Sequence, residues 1–127
     1  MKKFIKIVTD ILLVIAHIRT AVLYIPRLMG LKTYKVLSGS MEPEYHVGSV
    51  VYVEKSSIDD IEVGDVITFY INDNTVVTHR VIDKDNDTES FHTKGDANET
   101  EDGGSVAYDK VVGKVVLNVP YLGYILR

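Results

Sequence analysis

Residues 65–83 read DVITFYINDNTVVTHRVID, two apolar runs that flank four polar residues. The four polar residues, NDNT at 72–75, are typical of a hairpin loop, because Asn and Asp adopt tight-turn conformations readily. Successive side chains of a strand point to opposite faces, so Val77, His79 and Val81 fall on one face of the second run. The stretch therefore predicts an antiparallel β-hairpin that carries a histidine on the apolar face of its second strand.

Short apolar runs bounded by turn residues continue through the chain after Pro43. We predict strands at residues 49–54, 65–71, 76–83, 90–94 and 110–119. No sequence repeat and no long helical pattern follows residue 35. The predicted fold class is mostly β, a compact barrel or sandwich over residues 34–127 with one helical appendage over residues 1–33.

The charges divide the chain into a basic head and an acidic body. Residues 1–35 carry seven Lys or Arg and one acid, whereas residues 36–127 carry seven basic and seventeen acidic side chains. Nucleic acid is not an expected partner, because no basic patch is predicted where the folded body lies. Basic residues beside an apolar stretch favour a membrane instead. The lack of cysteine excludes a disulfide scaffold, a cysteine nucleophile and a thiolate metal site.

The apolar head, FIKIVTDILLVIAHIRTAVLYIP at 4–26, is long enough to cross a bilayer but carries polar residues. Its thirteen Phe, Ile, Leu or Val residues contribute about −4 to −8 kcal/mol on an insertion scale. Asp10 and Arg19 each oppose insertion by up to about 3 kcal/mol. Three alternatives stay open: a retained membrane anchor, which we favour, an interfacial amphipathic helix and a soluble core helix. A cleaved signal peptide is not predicted, since no small-x-small site follows the apolar run.

Basic residues at the start of the head set its expected orientation. Lys2, Lys3 and Lys6 predict a cytoplasmic N-terminus and an extracytoplasmic body under the positive-inside rule, although basic residues after the head weaken this assignment. At 100° per residue, the head has a polar stripe that fits either a tilted span or an interfacial helix. The stripe contains Lys3, Lys6, Asp10 and His17.

Two serines stand close to a proline in VLSGSMEPEYHVGSVVYVE at 36–54. Gly, Ser and Pro are ordinary turn residues, and serines in such a stretch more often belong to a plain turn. Serine hydrolysis, however, needs a hydroxyl nucleophile, a base and donors for the oxyanion. Ser40 and Ser38 could supply the hydroxyls and His79 the base, although a lone histidine on an apolar face is more often a satisfied core residue.

Carboxylates are available in the polar stretch TKGDANETED at 93–102. A carboxylate beside His79 could orient the imidazole and stabilise its charged form. Either Asp96 or Asp102 alone would more often belong to an acidic surface loop. We expect Asp96 to be the orienting residue, because it follows Gly95 at a strand end, whereas Asp102 precedes two glycines that indicate mobility.

No metal or cofactor site is predicted. DKDND at 83–87 resembles the start of a calcium-binding loop, but position six is Thr88 rather than Gly and position twelve is Lys94 rather than Glu. A solvated acidic turn is the better interpretation. His46 and His92 have no neighbours at a regular spacing, so we interpret both as structural.

Four sequence blocks occur in the order SGSMEP (38–43), GDVITF (64–69), VTHRV (77–81) and TKGDAN (93–98). In sequence and spacing they resemble the type I signal peptidases, over about residues 26–126. Most bacterial members carry a lysine base on the strand that here reads VTHRV, whereas His79 resembles the histidine of the endoplasmic-reticulum, archaeal and SipW-like branch. The resemblance implies a β-rich catalytic domain on the outer face of a membrane, held by an N-terminal span.

The resemblance also implies a role for each candidate residue. Ser40 matches the nucleophile and His79 the general base, while Ser38 matches the hydroxyl that joins the Ser40 backbone N–H in the oxyanion hole. Asp96 and Asp102 match two aspartates that are linked to activity in the family. The implied reaction is removal of signal peptides from secreted preproteins after a small-x-small motif. The implied partners are preprotein signal peptides and the lipid of the cell membrane, and no cofactor is implied.

Two other functions fit part of the pattern. Self-cleaving repressor-type proteins share the pairing of a serine with a base, but they need a lysine base, a DNA-binding head and an internal cleavage site, none of which the sequence shows. An inactive β domain that binds secreted partners at the membrane is the remaining alternative. The joint presence of Ser40, His79, Asp96 and Asp102 favours the peptidase.

Overall fold

The computed structural model of the chain describes residues 1–124. Two compact units divide the chain, the first over residues 1–31 and the second beginning at Lys32. The predicted β-rich domain and the family resemblance extend to residues 127 and 126, so their last residues lie outside the described part.

The first unit contains one helix, α1 (Lys2–Leu28). Its 27 residues correspond to about 40 Å at 1.5 Å per residue, which exceeds the hydrocarbon thickness of about 30 Å. The helix is long and apolar enough to cross a membrane by length and composition. The Lys6 ammonium donates to the Asp10 carboxylate at 2.7 Å, so these two members of the polar stripe share one face.

Over residues 32–124 the second unit is built from seven strands. They are β1 (Lys32–Lys35), β2 (Val50–Glu54), β3 (Val66–Asn72), β4 (Thr75–Asp85), β5 (Ser90–Lys94), β6 (Val106–Ala107) and β7 (Val111–Val119). All neighbouring strands are antiparallel, in the order β1-β2-β7-β3-β4-β5-β6 of one continuous sheet. Single 3₁₀ turns connect several strands. The predicted fold class, mostly β with one N-terminal helix, is confirmed.

The five predicted strands are present, with their ends within two residues of the prediction. The NDNT loop closes the β3–β4 hairpin, where the backbone N–H of Asn74 donates to the side chain of Asn72 at 2.9 Å. Strands β1 and β6 are absent from the prediction. The sequence of β1, KTYK, lacks an apolar alternation, and its strand conformation comes from pairing with β2, as in the register of Lys32 with Val53.

The hydrophobic core lies under β3, β4 and β5. Its buried members are Ile61, Ile67, Phe69, Val81 and Phe91. Strand β4 contributes His79 to the same face as Val81, as its alternation predicts, and only 8 % of His79 is exposed. The imidazole lies opposite Ile67 in the β3–β4 register and packs edge-on against the Phe69 ring, with the centroids 6.4 Å apart. The core therefore buries the imidazole on one face of the sheet.

Candidate active site

Ser40 lies in a single 3₁₀ turn, Gly39–Met41, between β1 and β2. Two backbone hydrogen bonds close the base of this connection, from Val36 N–H to the Ser49 carbonyl and from Gly48 N–H to the Val36 carbonyl, both 2.9 Å. Met41 is almost completely buried beneath the turn. The turn is thus held from below by an apolar side chain, which leaves the neighbouring Ser40 hydroxyl at the surface of a cleft.

The Ser40 hydroxyl meets the imidazole of His79, with Oγ 3.1 Å from Nε2. The other ring nitrogen, Nδ1, lies 2.6 Å from Oδ2 of Asp102. Because a carboxylate only accepts hydrogen bonds, Nδ1 is the donor of that pair, and the neutral ring presents Nε2 as an acceptor to the serine hydroxyl. The three side chains form the chain of contacts expected of a nucleophile, a base and an orienting acid.

The expectation that Asp96 lies against His79 is wrong, since Asp102 occupies that place. Glycines at 103 and 104 do not leave Asp102 free, because its backbone N–H donates to the Thr93 carbonyl at 2.9 Å. The Thr93 hydroxyl also donates to Oδ2 of Asp102 at 2.7 Å. Tertiary hydrogen bonds therefore fix the residue that the local sequence marks as mobile.

Asp96 forms an ion pair with Arg80 on the other side of β4. The guanidinium donates through Nε to Oδ1 at 2.8 Å and through Nη2 to Oδ2 at 2.7 Å, and its Nη1 reaches the Gly64 carbonyl at 2.8 Å. Hydrogen bonds from Arg80 lower the pKa of Asp96, and the same bonds raise the pKa of Arg80. Arg80 was not among the predicted site residues, although its alternation with His79 in β4 already directs it to the opposite face.

The loop after β5 packs closely against the serine turn. The Ala97 N–H donates to the Ser40 carbonyl at 2.8 Å, and the Asp96 N–H points to the Met41 sulfur at 3.4 Å. A Cβ on Gly95 would lie 2.7 Å from the Ser40 carbonyl oxygen and 3.1 Å from Nε2 of His79. Only glycine permits this approach, so the loop that carries Asp96 also supports the position of Ser40.

Comparison with known proteins identifies the family of the chain. Residues 3–94 match the family described as signal peptidase, peptidase S26. The chain belongs to this signal peptidase family. It is 43 % identical to signal peptidase I W of Bacillus subtilis over 89 residues, which are 68 % of this chain and 47 % of that protein. It is 36 % identical to the human signal peptidase complex catalytic subunit SEC11C over 101 residues, which are 71 % of this chain and 53 % of that protein.

The chain thus spans about half the length of these curated relatives. The predicted family is confirmed. The two relatives are of the SipW-like and endoplasmic-reticulum kinds that the four sequence blocks resemble.

A cleft of about 430 Å³ opens beside the Ser40 and His79 side chains of this signal peptidase family member. Ser38 lies at its rim, with Oγ 3.2 Å from the Ser40 hydroxyl oxygen. Strand β5 pairs with residues 80–85 of β4, and β3 pairs with residues 75–80. Residues 75–79 line the cleft, so the edge of β4 not taken by β3 faces it.

The remaining sequence candidates lie apart from this chemistry. His46 hydrogen-bonds to Glu42 in the exposed stretch before β2. Within residues 1–124 there is no group of three or more His, Cys, Asp or Glu side chains arranged to hold a metal ion. The acidic turn at residues 83–87 is closed by Asp85, whose Oδ1 accepts hydrogen bonds from the backbone N–H groups of Asp87 and Thr88.

Replacing Gly95 by alanine should destabilise the second unit. The added Cβ would collide with the Ser40 carbonyl, a backbone atom that cannot turn aside, so Gly95→Ala should lower the free energy of unfolding by about 1–3 kcal/mol. Urea denaturation measures the change. Gly103→Ala is the matched control, since its Cβ would meet no atom within 4 Å, and equal stability of the two variants would contradict the close approach.

Asp96→Asn should cost stability in a pH-dependent way. A carboxyl whose pKa is lower in the folded protein stabilises it above the unfolded value of 3.8, and this stabilisation is lost as the pH falls through the folded pKa. Urea midpoints of the parent and Asp96→Asn should therefore differ at neutral pH and converge in acid. Asp59→Asn, at an exposed aspartate, is the control. A difference that persists unchanged at about pH 2 would contradict the role of the Arg80 ion pair.

Proposed function

We propose that the chain is a membrane-anchored serine endopeptidase that removes signal peptides from preproteins. The observation that carries the proposal is the contact of Ser40 Oγ with His79 Nε2 at 3.1 Å, with Asp102 on the second ring nitrogen. Family membership adds a class of substrate that the geometry alone does not specify. Ser40 is the proposed nucleophile, His79 the general base and Asp102 the residue that orients the base.

The reaction follows from these positions. Nε2 of His79 takes the hydroxyl proton while Ser40 Oγ attacks the scissile carbonyl carbon, which gives a tetrahedral intermediate. The imidazolium, stabilised by Asp102, then protonates the leaving amine as the C–N bond breaks. Water, deprotonated by the same imidazole, hydrolyses the acyl-enzyme and releases the serine. The cycle needs a free lone pair on Nε2 of His79, since only that nitrogen can take the hydroxyl proton.

The oxyanion has two proposed donors beside Ser40. The first residues of a 3₁₀ helix lack intrahelical partners for their N–H groups, and Ser40 is the second residue of the three-residue turn. Ser38 brings a hydroxyl to within 3.2 Å of the attacking oxygen. A backbone N–H and a side-chain hydroxyl on one side of the nucleophile fit the developing negative charge.

The substrate is proposed to bind as an extended strand along residues 75–79 of β4. This edge lies in the cleft, and an added strand would gain backbone hydrogen bonds there. Alternate side chains of a strand point the same way, so two residues separated by one would both face the cleft. A small-x-small motif places its two small side chains at that spacing.

The helix α1 is proposed to hold the enzyme in the cell membrane with its N-terminus in the cytoplasm. Its length and apolar composition suit a span, and Lys2, Lys3 and Lys6 agree with the positive-inside rule. The second unit would then act on the extracytoplasmic side, where the signal peptide of an exported preprotein ends. Lipid and preprotein are the proposed partners.

Cleavage of a model preprotein by the full chain in detergent tests the proposed activity. Ser40→Ala should abolish cleavage and keep the urea midpoint near that of the parent, because a partly exposed hydroxyl contributes little to stability. Ser38→Ala should retain activity at a level reduced about 100- to 1000-fold, as expected for the loss of one oxyanion donor. Ser57→Ala, outside the cleft, is the control. Equal rates for the parent and Ser40→Ala would refute the mechanism.

Extraction of the full chain from liposomes with alkaline carbonate tests the anchor. The parent should stay with the lipid. Ile15→Arg, near the middle of α1, adds a cost of about 2.5–3.5 kcal/mol and should release much of the protein. Leu28→Arg, at the helix end, is the matched control and should stay bound. Quantitative recovery of the parent as a detergent-free soluble monomer would contradict a membrane span.

A further inference from the structure

Thr93 is buried behind the pair formed by His79 and Asp102, with 1 % of the residue exposed. Its hydroxyl donates to Oδ2 of Asp102 at 2.7 Å, and that same oxygen accepts the bond from Nδ1 of His79 at 2.6 Å. The Thr93 carbonyl accepts the Asp102 backbone N–H at 2.9 Å. Both the main chain and the side chain of Asp102 are therefore held by one residue.

The sheet register explains why position 93 can do this. Thr93 pairs with Val81, so its side chain lies on the same face of the sheet as Val81 and His79. His79 is two residues before Val81, which makes Thr93 its diagonal neighbour across the strand pair, at a spacing of about 7–8 Å. The carboxylate of Asp102 bonds to both side chains.

Asp102 needs such support because the chain around it is exposed. Gly103 and Gly104 follow directly and are both exposed, and Gly104 has a φ of 77°. The backbone alone would allow the carboxylate several rotamers. Two donors on one oxygen, from strands β4 and β5, select the rotamer in which Oδ2 meets Nδ1 of His79.

We infer that Thr93 is a positioning residue of the active site, which acts through Asp102 to fix the tautomer and orientation of His79. This inference rests on the proposed peptidase function. Thr93 does not line the cleft beside Ser40; it lines a second cavity of about 570 Å³ together with His79 and Asp102. Its hydroxyl is therefore placed to act on how the base is held. The sequence and the family match assign it no such role.

Steady-state kinetics of the full chain with a model preprotein test the inference. Thr93→Val keeps the shape of the side chain and removes the hydroxyl, and it should lower kcat about 10- to 100-fold, the worth of one hydrogen bond to a charged group. KM should change little, because the cleft is untouched. Thr93→Ser restores the donor and should recover most of the activity. Full activity of Thr93→Val, or a serine variant as slow as the valine variant, would overturn the inference.

A double-mutant cycle separates positioning from a general loss of stability. If Thr93 acts through Asp102, Thr93→Val should cost almost nothing in the Asp102→Asn background, where the carboxylate is already gone. If each substitution lowered kcat by its own factor and the two factors multiplied in the double variant, Thr93 would act independently of Asp102, which would overturn the inference. Thr68→Val is the control: Thr68 is as buried, its hydroxyl bonds to Thr78, and its loss should lower stability without the drop in kcat.

Nitrogen NMR of the histidine rings gives a readout that does not depend on activity. The parent should show a single His79 tautomer with the proton on Nδ1, and Thr93→Val should show a mixture with the Nε2 tautomer or faster exchange. An unchanged tautomer in Thr93→Val would overturn the inference. Failure of the proposed function would instead appear as equal cleavage by the parent and Ser40→Ala, with the tautomer of the parent still in place.

Discussion

The hydrogen bond between His79 and Asp102 is the contact on which the rest of the site depends. It assigns the ring proton to Nδ1 and so leaves Nε2 to accept from Ser40. Together with the contact of Ser40 with His79, it joins three parts of the chain, namely the turn before β2, strand β4 and the loop after β5. The imidazole is almost fully buried beside Phe69, where an unpaired ring N–H would be costly, so the bond stabilises the fold as well as the base.

Strand β4 separates the two carboxylates of the loop after β5, because successive side chains of β4 point to opposite faces. His79 and Arg80 are neighbours in sequence but point to opposite faces, and each takes one aspartate, Asp102 and Asp96 respectively. The loop is thereby tied to both faces of one strand, and its close approach at Gly95 supports Ser40. The ion pair holds the loop that contacts the turn of the proposed nucleophile, while the buried pair orients the proposed base.

The sequence predicted the strands well, because β3 and β4 alternate clearly and end at turn residues. It missed β1, whose four residues carry no pattern and are defined by pairing with β2. At the site, the blocks around Ser40 and His79 predicted which side chains meet. The choice between the two aspartates was wrong because it used local rigidity, namely glycines after Asp102, and the bonds from Thr93 are tertiary contacts that no local pattern contains.

The proposed binding mode accounts for how one site could accept many signal peptides. Backbone hydrogen bonds along the free edge of β4 are independent of the substrate side chains, so most of the recognition would not read sequence. Steric selection would then come from the side chains that line the cleft beside Ser40, among them Met41 and Asn98. In the proposed mode, main-chain pairing combined with steric exclusion would demand small side chains at two positions and would tolerate variety elsewhere.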